Sequence, residues 1–299
     1  MKKAFKWLGY IVGGLVAVIL LAVGTVYAIT SSRMGKTYPT EVAAVAIPTD
    51  AAAIARGKHL SLTTGKCQVC HGDDMAGKVM MDAPVFARLT SSNLTAGKGG
   101  IGGSYSEADY VRAIRHGVGR DGKPLIFMPS EAFYHFNDAD LGAIIAYLKT
   151  LPSADMTFAP MQQIGPIARI IYLFGDFPLI PAEITPRGEP RPAPVAEGVT
   201  AEYGEYLAKA GGCTGCHGQD VGGGNTIEGV KVPNLTPEGD MGKWTEADFF
   251  KTIRTGVRPD GRVLSAAMPW PAMKELTDNE MRALWIYLRS RPAKAVRAN

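Results

Sequence analysis

The four cysteines of this 299-residue chain occur as two pairs, and a histidine directly follows each pair. The first motif is Cys67-Gln68-Val69-Cys70-His71, and the second is Cys213-Thr214-Gly215-Cys216-His217. A disulfide within either pair would close a loop too short to stabilise a chain of this length. Since no cysteine is left over, both pairs are better explained as attachment points or ligands.

Two thiols at this spacing can each form a thioether with one vinyl group of a haem, and the next histidine is then held beneath the iron. A four-thiolate zinc site could use both pairs and a thioredoxin-like redox site needs one, but neither explains the histidine after both. The sequence therefore predicts two haem c groups. Their expected attachment residues are Cys67, Cys70, Cys213 and Cys216, and their expected proximal iron ligands are His71 and His217.

The motifs belong to a longer internal repeat. Both copies continue to an Asn-Leu-Thr segment, at Asn93 and Asn234, and later to a Met-Pro pair, at Met128 and Met268. Each copy reads as mostly helical, with a helix before the Cys pair, a second that begins after Ser or Thr with acidic residues in its first turn, and a third that ends before Pro. The sequence predicts two copies of one small helical domain, each built around its haem.

The sixth iron ligand decides between an electron carrier and an enzyme. A methionine thioether fills the position and raises the reduction potential, whereas an open position allows a substrate to bind. Met128 and Met268 are the candidates, because they occupy the same repeat position ahead of the last helix. Met273 is the alternative in the second copy, and His116 and His135 are the alternatives in the first.

Two arginines at equivalent repeat positions, Arg115 and Arg254, are candidates for binding haem propionates, because a guanidinium group matches a carboxylate. Other repeated polar and aromatic residues could add hydrogen bonds; they are Asn93, Tyr105, Asn234 and Trp244. The alternative, that these repeated residues hold the fold, is equally open.

The N-terminus carries a long uncharged apolar stretch from Trp7 to Thr30, which three lysines precede. As a helix it would measure about 36 Å, enough to cross a hydrocarbon core of about 30 Å. The charge bias favours a cytoplasmic N-terminus. A cleaved signal peptide, with Val26-Tyr27-Ala28 as its processing site, is the alternative. Both interpretations place the remaining chain outside the cytoplasm.

Between the copies lies a connector whose first part is apolar, since Ile164 to Ile180 contains only Arg169 and Asp176 as charges. Its end, from Pro178 to Pro194, is Pro-rich. The apolar part is too short and too interrupted by Pro to span a bilayer. We expect it to pack against the domains, or else to dock on a membrane surface or a partner. The expected organisation is a membrane anchor at 1–36, a first domain at 37–152, the connector at 153–199 and a second domain at 200–299.

The motifs resemble those of class I cytochromes c. The shared features are the Cys-x-x-Cys-His after a first helix, the Met-Pro loop and the aromatic residue of the last helix, Tyr147 or Tyr287. The resemblance implies a mostly α fold, with an N-terminal transmembrane helix followed by two tandem cytochrome c domains. One anchor and two such domains look like the membrane-bound di-haem cytochromes, which implies partners among periplasmic dehydrogenases, membrane complexes and oxidases. Many of those dehydrogenase subunits have three haem domains, whereas this chain has two.

Electron transfer is the function that these features predict, with the haem domains on the periplasmic side of a bacterial cytoplasmic membrane. A net charge of +4 is too small and too dispersed for nucleic-acid binding. The competing hypothesis is a di-haem peroxidase-like enzyme with one open haem, which the repeated Met-Pro pair disfavours. No strongly charged docking face can be read, so the sequence does not name the redox partners.

Overall fold

A computed structural model describes residues 2–175, 178–186, 192–227 and 229–294. Part of the Pro-rich end of the connector and the C-terminal tail therefore lie outside the described residues. One long helix, α1 (Lys2–Gly35), precedes two helical bundles. The first bundle contains α2 (Ala51–Leu62), α3 (Cys67–His71), α4 (Glu107–His116), α5 (Ser130–Phe133) and α6 (Asp138–Lys149). After α7 (Pro166–Phe174) in the connector, the second contains α8 (Ala201–Ala210), α9 (Cys213–His217), α10 (Glu246–Thr255), α11 (Trp270–Met273) and α12 (Asp278–Ser290).

The first and last helices of each bundle cross in direct contact, α2 with α6 and α8 with α12. A glycine permits each crossing. A Cβ atom on Gly57 would collide with the carbonyl oxygen of Ala143, and one on Gly204 would collide with that of Ala283. Because both glycines stand at the same place in the repeat, the two bundles close in the same way.

The starts of α4 and α10 follow the sequence prediction. Ser106 and Thr245 are the N-caps, and each side chain accepts a hydrogen bond from the amide of the residue three positions on. The carboxylates of Asp109 and Asp248 in turn accept a hydrogen bond from the backbone amide of the cap residue, which completes a capping box in both copies. The cap residues thus fix where each central helix begins.

Short strands were not expected from the sequence. In the first copy, β1 (Val79–Ala83), β2 (Ala87–Thr90) and β3 (Gln162–Ile164) form an antiparallel sheet in that order, so the connector supplies the third strand. A small hairpin of β4 (Thr226–Ile227) and β5 (Val230–Lys231) stands at the corresponding place in the second copy. The segment between the first Cys pair and Asn93 is therefore partly a sheet.

The apolar part of the connector packs against the first bundle, as expected. Ala168 and Tyr172 of α7 are buried, and so are Leu179 and Ile180 further along the connector. They join Val118 of the first bundle in a second hydrophobic cluster, separate from the main core. The connector is therefore part of the first folded unit on one face.

The two bundles meet through a pair of equivalent hydrogen bonds. His59 Nε2 of α2 lies 2.7 Å from a carboxylate oxygen of Glu280 in α12. In the opposite direction, the hydroxyl of Tyr206 in α8 donates to Asp140 of α6 at 2.5 Å. His59 and Tyr206 each stand two residues after the crossing glycine, and Asp140 and Glu280 are repeat partners. The interface therefore has approximate two-fold symmetry.

Arg56 lies near the centre of this interface. Its guanidinium group donates to Asp140 at 3.1 Å, to the Tyr203 hydroxyl at 3.0 Å and to Glu280 at 3.4 Å. Since these carboxylates are mostly buried, the charges are compensated within the protein rather than by water. The contacts hold the two bundles in one arrangement.

We predict that Gly204→Ala lowers the free energy of unfolding, because the added methyl group would push α8 away from α12. The expected loss is about 1–3 kcal/mol, which is typical of overpacking. Gly215→Ala is the matched control, since a Cβ at that position meets nothing within 4 Å. Denaturant titration followed by circular dichroism measures both. Equal stability of the two variants would contradict the proposed role of the crossing.

We also predict that Glu280→Gln destabilises the protein more at pH 7 than at pH 3. Burial alone would raise the pKa of Glu280, but hydrogen bonds from His59 and from the Thr277 amide hold it below its ordinary value of 4.5. A lowered folded-state pKa means that the ionised carboxylate stabilises the fold above the ordinary value and loses this effect as the pH falls through the folded value.

Breaking this buried pair should cost about 3–5 kcal/mol at pH 7. Glu246→Gln is the control, because Glu246 pairs with Arg282 at an exposed site where loss of the pair should cost about 1 kcal/mol or less. The measurement is the free energy of unfolding of both variants and of the wild-type protein between pH 3 and pH 7. A Glu280→Gln profile that parallels the control would show that the interface does not depend on this carboxylate.

Candidate haem sites

The two Cys-x-x-Cys-His motifs form single-turn helices, α3 and α9, in matching surroundings. Each helix follows a residue in the left-handed region, Lys66 with φ 51° and Gly212 with φ 72°. Each ends at a glycine, Gly72 or Gly218, that also has positive φ. Because residues three apart lie on one face of a helix, each turn presents both thiols to the same side.

The histidines of the motifs are held by equivalent backbone carbonyls. Nδ1 of His71 lies 2.7 Å from the Ser92 carbonyl oxygen, and Nδ1 of His217 lies 3.0 Å from that of Pro233. Since a carbonyl only accepts, Nδ1 carries the proton and Nε2 keeps a lone pair for a metal. Burial lowers the pKa of both histidines, which favours the neutral, ligating form.

A pocket with about 770 Å³ of empty space, partly open to solvent, lies beside α9 in the second bundle. Its walls include Cys213 and His217 on the attachment side, and Met268 and Met273 among the remaining lining residues. The structure therefore brings the expected proximal histidine and both candidate methionines to one pocket. It leaves the choice between Met268 and Met273 open.

Two residues that line this pocket, Arg258 and Thr252, each have a buried polar atom without a hydrogen-bond partner within the described chain: Nε of Arg258 and Oγ1 of Thr252. Donors left unpaired among apolar walls are suited to anionic groups of a bound molecule. A haem has an apolar ring and two propionates, so the lining fits it. In the described part of the chain no three His, Cys, Asp or Glu side chains are grouped to bind a metal ion.

The structure gives Arg115 and Arg254 contacts within the fold. The Arg115 guanidinium donates to Asp138 at 2.7 Å and to the Phe136 carbonyl at 2.8 Å, and its side chain is only 2% exposed. Arg254 makes the equivalent bonds, to Asp278 at 2.7 Å and to the carbonyl of residue 274. These contacts tie the central helix to the start of the last helix, which favours the fold-holding alternative for both arginines.

Arg258 is the guanidinium group that does line the second pocket, and the sequence repeat did not single it out. Its counterpart in the first copy is Gly119, so the comparison of the copies carries no signal for it. Arg258 also pairs with Asp240 and lies over the Trp244 ring at 5.6 Å. Trp244, which the sequence did single out, lines the same pocket.

The repeated asparagines, Asn93 and Asn234, connect loops through hydrogen bonds. Asn93 donates to the Ala154 carbonyl at 2.7 Å, and Asn234 donates to the Lys294 carbonyl at 2.8 Å. Both side-chain oxygens accept from the amide two residues on. Each asparagine thereby fastens the loop beside its motif to the chain that follows the last helix.

In the first bundle, Met128 and Cys67 both pack against the main hydrophobic core. The rings of Tyr134 and His135 meet edge to face, 5.8 Å apart. Tyr105 packs edge to face on Tyr110 at 5.5 Å. The identity of the sixth ligand in this copy stays a prediction.

Lys66 joins the two motif regions. Its ammonium group donates to the Thr64 carbonyl in its own copy and to the Gly211 carbonyl in the other, both at 2.7 Å. Burial lowers its pKa, while nearby Cys213, Cys67, Cys216 and Cys70 all act on the amine in the opposite sense. The two attachment helices therefore adjoin around one lysine, which the sequence did not reveal.

Both copies match known families. Residues 54–152 match the cytochrome c family model, and residues 199–288 match the model described as "Cytochrome C oxidase, cbb3-type, subunit III". The chain is a cytochrome c with two such domains. Domains of this family bind haem c covalently, which agrees with both Cys-x-x-Cys-His motifs.

Several cytochrome subunits are similar to this cytochrome. The fructose dehydrogenase cytochrome subunit of Gluconobacter japonicus is 28% identical over 83% of this chain and 55% of its own length. A diheme cytochrome c-type protein of Cereibacter sphaeroides is 27% identical over 77% of this chain and 83% of its own. The cytochrome c subunit of the quinone-dependent alcohol dehydrogenase of Gluconacetobacter polyoxogenes is 35% identical over 31% of this chain and 22% of its own.

The cytochrome thus spans about half of the length of the fructose dehydrogenase subunit that it matches. The predicted fold class, two cytochrome c domains after an N-terminal apolar helix, is confirmed. These three relatives are named as cytochrome subunits or as a cytochrome, which supports the prediction of an electron carrier rather than an enzyme. In the described residues, the segment Phe5–Gly35 is long and apolar enough to cross a membrane, and a signal sequence would pass the same test.

Proposed function

We propose that this cytochrome carries two haem c groups with His/Met ligation and relays electrons between them. His71 and Met128 would ligate the first iron, and His217 and Met268 the second. The observation that carries the proposal is the repeated geometry of the two histidines, each with Nδ1 bonded to the carbonyl just before Asn-Leu-Thr. The same donor set in both copies supports two equivalent sites.

A bound haem supplies reversible one-electron redox chemistry, and the protein controls its setting. The cysteines would fix the ring covalently, and the carbonyl-bound histidine would keep a single orientation through the redox change. Apolar walls would limit water near the iron, which sets its potential. In the second domain, Arg258 and Thr252 would hold the propionates.

The adjoining attachment helices support electron transfer within the chain. Lys66 binds both segments, and the domain interface centred on Arg56 holds them in one arrangement. A fixed arrangement suits repeated transfer between two centres, because no domain motion is needed before each step. We propose that electrons enter at one haem and leave from the other.

The names of the relatives and the N-terminal helix support a proposal about the redox partners. Several matched proteins are named as cytochrome subunits of dehydrogenases for fructose, alcohols or gluconate. We propose that a periplasmic dehydrogenase or a membrane complex donates electrons and that another respiratory component accepts them. With α1 as its anchor, the cytochrome would stay near its partners on the periplasmic side of the cytoplasmic membrane, where tethering raises their effective concentration.

We predict that Met268→Ala removes the sulfur-to-iron charge-transfer band of one haem and lets that haem bind carbon monoxide. Without the thioether the sixth position is open, so a small ligand can reach the iron. Met273→Ala is the matched control, because Met273 lines the same pocket and would keep both bands. Met128→Ala should open the other haem.

Absorption spectra of oxidised and reduced protein, with and without carbon monoxide, measure this. Loss of the band in Met273→Ala instead would assign that residue as the ligand. If one haem of the wild-type protein already binds carbon monoxide or peroxide, the electron-carrier proposal is wrong and the peroxidase-like enzyme is favoured.

We also predict that Lys66→Gln lowers the reduction potentials of both haems. Glutamine keeps a side-chain N–H donor, whereas the positive charge that disfavours the oxidised iron is lost. A unit charge about 10 Å from an iron contributes about 1.7 kcal/mol at an effective dielectric constant of about 20, or about 70 mV, so a fall of several tens of millivolts is expected.

Lys209→Gln is the control for Lys66→Gln, because Lys209 is an exposed lysine paired with Glu205 on α8. Spectroelectrochemical titration of each variant gives the potentials. A shift confined to one haem, or equal shifts in both variants, would contradict the placement of Lys66 between the two sites.

A further inference from the structure

Helix α7 of the connector has one buried face and one exposed apolar face. Ala168, Arg169 and Tyr172 are buried. The opposite side presents Ile167, Ile170, Ile171 and Phe174, and Phe174 is 79% exposed. These four positions follow the i, i+3, i+4, i+7 spacing of a single helical stripe. The face carries no charged residue, although water would surround it on a soluble protein.

The buried face of α7 packs on the C-terminal part of α1. Arg169 donates to the hydroxyls of Thr30 and Ser31, and its guanidinium lies 4.3 Å from the centre of the Tyr27 ring. Arg169 also donates to the Ile164 carbonyl at 2.9 Å, so its side chain lies at the junction of the two helices. The contact point on α1 is therefore defined by residues 27–31.

That contact point coincides with the place where α1 would leave a bilayer. From Trp7 to Tyr27 a helix rises about 30 Å, the thickness of the hydrocarbon core. Aromatic residues at such a separation mark the two interfaces of a membrane. Arg33 and Lys36 follow within the next turns, where lipid phosphates lie. The position on α1 thus places α7 at the depth of the lipid headgroups.

Helix α7 is also fixed to the first domain. Its buried residues share a hydrophobic cluster with Val118 and Leu89, and Met34 of α1 packs against the same cluster. Tyr172 donates to Glu183 at 2.6 Å, and Arg33 of α1 lies over the Tyr172 ring at 5.5 Å. Anything that holds α7 therefore holds the first domain as well.

We propose that the stripe Ile167, Ile170, Ile171 and Phe174 lies in the interfacial layer of the membrane that α1 spans. This inference rests on the anchor reading of α1 given under the proposed function. Its grounds are the packing of α7 on the C-terminal part of α1, the matching depth and the nearby cations. An amphipathic helix at this depth buries its apolar face among the acyl chains near the headgroups.

A membrane contact by α7 would restrict the orientation of the first domain relative to the bilayer. A single transmembrane helix fixes the position of the first domain but leaves it free to swivel and tilt. A second contact by α7 restricts both motions and gives the haem of the first domain a constant height and angle above the bilayer. Such a constraint suits electron exchange with a partner in the same membrane.

The test uses spin labels on the full-length cytochrome in lipid nanodiscs. Phe174→Cys places a label on the stripe, and Val263→Cys places the control label on an exposed apolar residue of the second domain. The wild-type chain should take no label, because its cysteines are bound to haem. Collision rates with oxygen, which concentrates in lipid, and with a water-soluble nickel chelate are then compared at each site.

We expect the oxygen-to-nickel ratio at residue 174 to exceed that at residue 263 several-fold. A ratio at 174 equal to that at 263 would show contact with water and overturn the proposal. Shielding from both reagents would show a protein partner on the stripe and would also overturn it. A third label, in Leu15→Cys, tests the anchor by itself, since a lipid-like value there with a water-like value at 174 would reject the role of α7 alone.

Discussion

The crossing of the first and last helices is the contact on which each domain depends. Gly57 and Gly204 let backbone meet backbone at the crossing, so the two helices form a rigid pair. The Cys-x-x-Cys-His turn follows directly from one helix of the pair, and the loop with the Met-Pro segment leads into the other. The contact between the two helices therefore brings the Cys-x-x-Cys-His turn and the Met-Pro loop to the same pocket. In the second domain, His217 and Met268 both line this pocket.

The outer surfaces of the same four helices build the interface between the domains. His59 with Glu280 and Tyr206 with Asp140 repeat one contact in two directions. The symmetry follows from the sequence repeat, because equivalent positions meet across an approximate two-fold axis. Arg56 departs from this two-fold symmetry, because the equivalent residue in the second copy is Tyr203, and the two residues contact each other. One charged group at the axis thus satisfies carboxylates of both domains, and the attachment turns are left side by side at Lys66.

Local signals predicted the parts of the structure that depend on neighbouring residues. The attachment motifs, the capping residues Ser106 and Thr245 and the apolar periodicity of the last helices all act within one or two turns, so the sequence displays them directly. The family resemblance supplied the arrangement of those helices. The methionine positions came from the repeat, and the structure brings Met268 to the expected pocket.

Contacts between distant segments escaped prediction. The third strand, Gln162–Ile164, pairs with β2 more than seventy residues earlier in the chain. No local sequence pattern predicts a pairing over that distance. For Arg115 and Arg254 the sequence left open whether they bind haem propionates or hold the fold, and it did not indicate their contacts with Asp138 and Asp278. Arg258 and Lys66 lack an equivalent in the other copy, so the repeat gave no reason to select them.

The central claim is that one chain holds two haems, one in each domain, by covalent bonds. Intact mass spectrometry of the acid-denatured native protein tests it most directly, because non-covalent haem is lost under those conditions whereas thioether-bound haem stays. The account predicts a single species with the mass of the polypeptide plus two haems, with or without the N-terminal segment. A mass that includes one haem or none, or that shows zinc in native conditions, would contradict it.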